Sequence, residues 1–244
     1  MVKIIKKGGW RMAAFRFGAN TMTAAHQLIL QTSLNTEYYT DPQIVEAARR
    51  VMGGIDLDPA SSSIANQTVQ AARFFSASEH QITGISDDGL PVYFIHWGGL
   101  LEEWHGRVWM NHPFGAPERQ CSPNCSKRAC QRRGFHLAAP QPGNNHWIQK
   151  LVDDYNAGRI SQACCITWAS TSEAWFQPLY SGLMCFLVPR TGYLLPNGTK
   201  KPGATKGSVV TYFGPHWQSF MREFSSLGVF PNHKLLDGPC YNHE

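Results

Sequence analysis

At 244 residues the chain is long enough for one sizeable hydrophobic core, and a single α/β domain carrying an insertion is the expected organisation. Hydrophobic residues make up 43%, aromatics 12% and charged residues 16%, which excludes an intrinsically disordered chain. No run of about 18 apolar residues offers a membrane span, and a net charge of +5 with a pI of about 8.8 favours a polyanionic partner without identifying it.

Residues 1–34 show no usable periodicity and are taken as an N-terminal extension. Their opening, MVKIIKKGGWRMAAF, lacks the apolar core and cleavage site of a secretory signal, so a cytoplasmic location is expected. In PQIVEAARRVMG, apolar residues Ile44, Val45, Ala48, Val51 and Met52 recur at helical spacing between an early Pro42 and a closing Gly53-Gly54. GGIDLDPASSS reads as a short strand running into a turn, SSIANQTVQAARFF as a helix, GLLEEW as another helix, and GRVWMNHPFG as a strand ending in a loop. Farther on, HWIQKLVDDYNAG is an amphipathic helix ending at Gly158. ISQACCITWA is a strand, SEAWFQPLY a short helix, LMCFLVPR and SVVTYFG further strands, and PHWQSFMREFSSLG a final helix. The stretch 196–207, rich in Gly, Pro and Lys, is expected to be a surface hairpin loop. Strands alternating with helices imply an α/β fold with a mostly parallel sheet and helices on both faces.

Seven cysteines without a secretion signal are not expected to form a disulfide framework. Cys164, Cys165 and Cys185 sit in apolar runs and read as buried small hydrophobes. Cys121, Cys125 and Cys130 lie instead in a polar, basic stretch.

Asn111-His112-Pro113-Phe114-Gly115 follows the apolar strand residues VWM, so it falls where an open α/β sheet presents ligands, at a strand's carboxyl end. The exocyclic amine of adenine or cytosine is a poor nucleophile because its lone pair is delocalised into the ring. Methylating it requires hydrogen-bond acceptors on the amine and an aromatic face for a base taken out of the stack. The Asn111 side chain, the carbonyl of His112 and the ring of Phe114 offer those three things; an ordinary strand-to-helix turn with an Asn cap is the plainer reading.

This run resembles the Asn/Asp-Pro-Pro-Tyr/Phe catalytic motif of amino-methyltransferases. Over residues 35 to about 230 the chain resembles the phage-type DNA N6-adenine methyltransferase family, through EYYTDP, GGIDLDPASSSIAN, DDGL, VWMNHPFG and TKGSVVTYFG in that order. The resemblance implies a seven-stranded class I, Rossmann-like methyltransferase sheet in a domain spanning 35–244, and S-adenosyl-L-methionine as cofactor. It assigns Asp56, Asp58, Pro59, Ala60 and Ser61 to the methionine end of that cofactor, where a cationic ligand favours carboxylates. Glu37, Tyr38, Tyr39, Thr40 and Pro42 would fold over it, and Asp88, with Asp87 as a neighbouring candidate, would accept from its adenine amine. It makes Asn111, His112, Pro113 and Phe114 the catalytic loop, and it places a phage-encoded protein of this kind in the cytoplasm of a bacterial host. The chain departs from the pattern at His112, where the family has proline, so φ at this position is no longer locked by a ring.

The segment 116–145 is read as an insert. Cys121, Cys125, Cys130 and His136 form a C-x3-C-x4-C-x5-H pattern in a stretch with almost no apolar residues, which needs a metal to fold. Three thiolates and one imidazole favour a structural zinc over an iron-sulfur cluster. Arg119, Lys127, Arg128, Arg132 and Arg133 make the insert basic, as expected of a surface that contacts duplex DNA phosphates beside a flipped base. The expected activity is methyl transfer to the N6 amine of adenine. Transfer to N4 of cytosine, action on single-stranded DNA or RNA, and a catalytically silent DNA-binding protein marked by His112 are the alternatives.

Overall fold

The computed structural model describes residues 39–76, 79–195, 199 and 206–231. The N-terminal extension, Glu37, Tyr38 and most of the 196–207 loop lie outside the described residues. The first helix, α1 (Pro42–Met52), is built as its sequence suggests. Asp41 caps Gln43 N, Pro42 sits in the first turn, and Gly53 closes the helix in the left-handed region at φ 73°. Ile44, Val45, Ala47, Ala48, Val51 and Met52 are buried.

Strand β1 (Leu57–Ser61) is buried along its whole length. The helix expected over SSIANQTVQAARFF is cut short. Only α2 (Ala65–Val69) forms, and Gln70 turns left-handed at φ 52° while the Asn66 side chain bonds both the N–H and the carbonyl of Ala71. The remaining residues become β2 (Arg73–Ser76), pairing in parallel with β1 through Leu57↔Arg73 and Asp58↔Phe74. A sheet edge that accepts a Phe pair outweighs the helical spacing of those few residues.

Next come β3 (Glu79–Ile85), β4 (Pro91–His96), α3 (Gly98–Leu101) and β5 (Gly106–Met110). They are followed by α4 (Arg128–Arg133), β6 (His136–Leu137), α5 (Asn144–Asn156), β7 (Ile160–Trp168), a 3-10 segment (Ala174–Ser181), β8 (Leu183–Leu187), β9 (Ser208–Phe213), α6 (Trp217–Phe224) and β10 (Gly228–Val229). Seven strands form one sheet in the order β10-β8-β9-β7-β5-β1-β2. The pairs β2-β1, β1-β5 and β5-β7 are parallel; β7-β9, β9-β8 and β8-β10 are antiparallel. The sheet is therefore mixed, parallel in its first half only.

Strand alternation divides the core into two layers. Cys164, Ile166, Val210 and Tyr212 pack with α1 and α6 on one face, whereas Ala163, Cys165, Val209 and Phe213 pack with α5 and the 3-10 segment on the other. Cys164, Cys165 and Cys185 are fully buried, and burial pushes the Cys165 and Cys185 thiols up to about 12.

Two features position the site. The chain leaves β1 toward β2 on one side and returns as β5 on the other, which makes the carboxyl ends of β1 and β5 the sheet's switch point, the place where open α/β sheets offer a ligand crevice. Helix α3 also lies directly on β1: a Cβ on Gly99 would stand 1.7 Å from the Pro59 carbonyl oxygen. Gly99→Ala should therefore destabilise the protein by roughly 3 kcal/mol through overpacking against backbone. A urea midpoint unchanged from the parent would refute that close approach.

A second, three-stranded sheet, β3-β4-β6, was not apparent in the sequence. The β3-β4 hairpin turns through Ser86–Leu90 around Gly89 at φ 81°, and β6 joins β4 in parallel through Val92↔His136 and Tyr93↔Leu137. The Cys/His insert and this hairpin, distant in sequence, thus share one ladder.

Candidate active site and metal centre

The loop Asn111–Gly115 leaves β5 at the switch point, with Asn111 half-buried. His112 is only 2% exposed and does not face the crevice as a free imidazole. Its ring stacks on Trp147 at 6.2 Å and meets Phe114 edge-on at 5.2 Å. His112 Nε2 lies 3.1 Å from Asn144 Oδ1, the same oxygen that accepts from the N–H of Gly115 at 3.0 Å. Because Gly115 N can only donate, the shared atom is an acceptor and Nε2 carries the imidazole proton. Burial lowers the His112 pKa to about 4, so the ring is neutral near pH 7. The backbone N–H of Asn144 donates to Gly115 O at 2.9 Å, so Asn144 grips the loop twice.

Phe114 packs against Trp168 at the end of β7, with centroids 4.9 Å apart, and against Tyr193 at 6.2 Å. The ammonium of Lys206 stands 4.4 Å over the Trp168 ring. Trp168, Tyr193 and Asn144 were not singled out from the sequence. Trp168 offered a signal in hindsight, as an aromatic residue at a strand's carboxyl end.

On β1, Asp58 is 2% exposed and accepts from the Ala60 N–H at 3.2 Å. No cation among the described residues pairs with it, and burial raises its carboxyl to about 7 against a partial offset from its bonds to Ser61 and Ala60. Pro59, Ala60 and Ser61 continue the strand toward the crevice. Tyr39 arrives from the chain before α1: its N–H and carbonyl exchange 2.8 Å bonds with Leu194, and its hydroxyl lies 3.3 Å from Ser62 Oγ. Thr40, next to it, is buried with a hydroxyl that has no hydrogen-bond partner among the described residues, and Pro42 opens α1.

Two residues that the resemblance assigns to the cofactor are engaged by protein partners. Asp56 precedes β1 at its amino end, away from the crevice. It accepts from Arg107 N at 2.8 Å, Nε at 2.9 Å and Nη2 at 2.6 Å, and the guanidinium holds its carboxyl below the usual value. Asp88 sits in the β3-β4 turn, where Ser86 and His136 bond it and keep its carboxyl well below the ordinary range. Its neighbour Asp87 is exposed.

Cys121, Cys125, Cys130 and His136 converge so that their ligand atoms all lie within 4.8 Å of one another. The Sγ of Cys130 is 3.6 Å from that of Cys121 and 3.8 Å from that of Cys125. Thiolates each 2.3 Å from a common tetrahedral centre stand about 3.8 Å apart. The buried Nδ1 of His136 makes no regular hydrogen bond among the described residues and has the Cys121 and Cys125 thiols beside it, as expected of a nitrogen whose partner is a metal. This four-residue group can hold a metal ion.

Arg119, Lys127, Arg128 and Arg132 are exposed on this knuckle. Arg133, expected among the DNA-contacting cations, is turned inward. It pairs with Glu118 at 2.7 Å, lies over the Phe135 ring and donates to Cys130 Sγ at 3.3 Å, so it serves the knuckle itself. The knuckle closes at its base where Glu118 and Gln141 exchange backbone bonds, just outside the Gly115–Asn144 pair.

Comparison with protein families, curated proteins and solved structures finds no match.

Two buried groups give opposite pH dependences. Folded Asp58 keeps its proton up to about 7 against 3.8 when unfolded, so its contribution to stability falls as pH rises through that window. Folded His112 protonates only near 4 against 6.5 when unfolded, so its contribution rises over 4 to 6.5. The stability of Asp58→Asn relative to the parent should therefore climb between pH 4 and 7, by as much as about 4 kcal/mol. A pH-independent difference in urea denaturation would refute the burial of a protonated Asp58. Asn144→Ala, which leaves two donors without their acceptor, should cost about 2 kcal/mol and speed amide exchange at Gly115. Unchanged exchange there would remove Asn144 from the loop's support.

Proposed function

We propose that this protein is an S-adenosyl-L-methionine-dependent DNA methyltransferase that modifies the N6 amine of adenine, on a class I sheet, with a structural zinc in its insert. The observation that carries the reading is the meeting of two motifs at one switch point. The buried carboxyl of Asp58, with no cation on it among the described residues, lies within β1 just ahead of Pro59-Ala60-Ser61 at its carboxyl end, and the Asn111–Gly115 loop leaves the strand beside it.

A buried carboxyl that lacks a cation fits a cofactor with an amino group and a sulfonium, which supplies the methyl group when bound. Asp58 would hold the cationic end, Pro59, Ala60 and Ser61 the loop around it, and Tyr39 and Thr40 the strap from above. Asn111 Oδ1 and the carbonyl of His112 would accept from the target amine and draw its lone pair out of conjugation. Phe114, backed by Trp168, would offer the stacking face for the flipped base. His112 serves this scheme through its backbone. Its imidazole points into the core against Trp147 and replaces the missing proline's rigidity with a hydrogen bond to Asn144. Arg119, Lys127, Arg128 and Arg132 project from a knuckle that begins one residue after the loop, which suits phosphates flanking the extracted base.

Incubation with duplex DNA and methyl-labelled S-adenosyl-L-methionine should yield labelled N6-methyladenine, and Asn111→Ala should lower turnover on the order of 100-fold or more. Labelled N4-methylcytosine would keep the mechanism and change the base. Absence of label on duplex DNA, single-stranded DNA and RNA alike would overturn the enzymatic reading.

A further inference from the structure

The metal centre reaches beyond its four ligands. His136 directs one ring nitrogen, Nδ1, which makes no regular hydrogen bond among the described residues, toward the thiols. The other, Nε2, stands 3.2 Å from Asp88 Oδ1 and 3.1 Å from Oδ2. Asp88 comes from the tip of the β3-β4 hairpin, far from the cysteines in sequence, and it is held there from three directions. The Ser86 hydroxyl and the Leu90 N–H bond its Oδ1, and Gln131 of α4 bonds its Oδ2. A carboxylate that accepts from the outer nitrogen of a ligating histidine fixes the tautomer and the ring plane, and makes the imidazole a better donor.

The backbone repeats the connection. His136 itself begins β6, which pairs with β4, and Ala138 N donates to Tyr93 O at 2.8 Å. Cys121 N donates to Leu137 O at 3.0 Å, tying the first ligand to the same strand. The shared apolar core is small: Tyr93, Ile95, Phe135 and Leu137 are buried, while Ile82 and Ile85 on the hairpin are 59% and 67% exposed. A three-stranded sheet with a two-residue edge strand and so little buried surface needs a further tie.

We infer that Asp88 is the positioning residue of the metal centre, and that metal bound by Cys121, Cys125, Cys130 and His136 orders the hairpin 79–96 together with the knuckle as one subdomain. This rests on the reading of those four residues as a zinc site, and it moves Asp88 from the cofactor to the metal.

The test uses the full chain loaded with zinc. Metal content is measured by mass spectrometry, affinity by competition with a chromophoric chelator, and ligand geometry by the absorption bands of the cobalt-substituted protein. The parent should bind one ion, Asp88→Ala should bind it 10- to 100-fold more weakly with altered cobalt bands, and Asp88→Asn, which can still accept from Nε2, should recover most of the loss. Chelation of the parent should speed amide exchange across 79–96 as well as across the knuckle, leaving Ile160–Trp168 and Ser208–Phe213 protected. Equal zinc affinity in the parent and Asp88→Ala would overturn the inference with the zinc site intact, as would hairpin exchange indifferent to chelation. Loss of S-adenosyl-L-methionine affinity in Asp88→Ala at unchanged zinc affinity would also overturn it and return Asp88 to the cofactor. A parent that binds no metal would remove both the zinc site and this inference.

Discussion

The reciprocal pairing of Gly115 and Asn144 is the constraint on which the rest of the site depends. Between these residues the chain makes the whole excursion that carries Cys121, Cys125, Cys130 and His136, and returns to bond the residue it left. The same Asn144 oxygen takes the proton of His112, so the loop after β5 is fastened by side chain and backbone to the first turn of α5. Helix α5 is fixed in turn by Trp147, Ile148 and Leu151, all fully buried against the sheet. The loop therefore inherits the rigidity of the core, although at position 112 no ring fixes φ.

That arrangement shows how a histidine can hold the position where the amino-methyltransferase motif that this loop resembles has proline. A proline restricts the backbone through its ring. Here a neutral imidazole restricts it through one hydrogen bond and two ring contacts, and the Asn carbonyl is shared with the next loop N–H. The cost is a buried Nδ1 without a hydrogen-bond partner among the described residues. On the neighbouring strand the situation is complementary: Asp58 is buried without a cation and keeps its proton to about 7. Two desolvated titratable groups near the switch point, His112 with one ring nitrogen lacking a hydrogen bond and Asp58 lacking a cation among the described residues, are a concentration of unmet polar demand of the kind that functional sites carry.

The insert is a separate physical problem with a separate solution. Its polar sequence has too little apolar surface to fold by burial alone. It borrows a strand pairing from the β3-β4 hairpin, a guanidinium from Arg133 and a carboxylate from Asp88, and gathers three sulfurs and a nitrogen at metal-binding spacing. Its remaining cations, Arg119, Lys127, Arg128 and Arg132, are left exposed, on a body rooted beside the Asn111–Gly115 loop.

By itself the sequence determined what short-range spacing can specify. It marked α1 through its cap and apolar stripe, α5 and the central strands through their periodicity, Cys164, Cys165 and Cys185 as core residues, and the metal ligands through their clustering. Each depends on residues a few positions apart, within reach of turn and helix geometry. Tertiary structure decided what depends on long-range pairing. The ladder with β1 turned Arg73–Ser76 from helix to strand, and the antiparallel β9 made the second half of the sheet antiparallel and the whole sheet mixed. The pairing of β4 with β6 joined the hairpin to the knuckle and drew Asp88 to His136. Position along a strand carries the same lesson: Asp56 and Asp58 are two residues apart, yet one lies at the amino end of β1 gripping Arg107 and the other is buried farther along it. Only the parallel neighbour β5, whose first residues meet Asp56 and whose last open into Asn111, fixes which end faces the crevice.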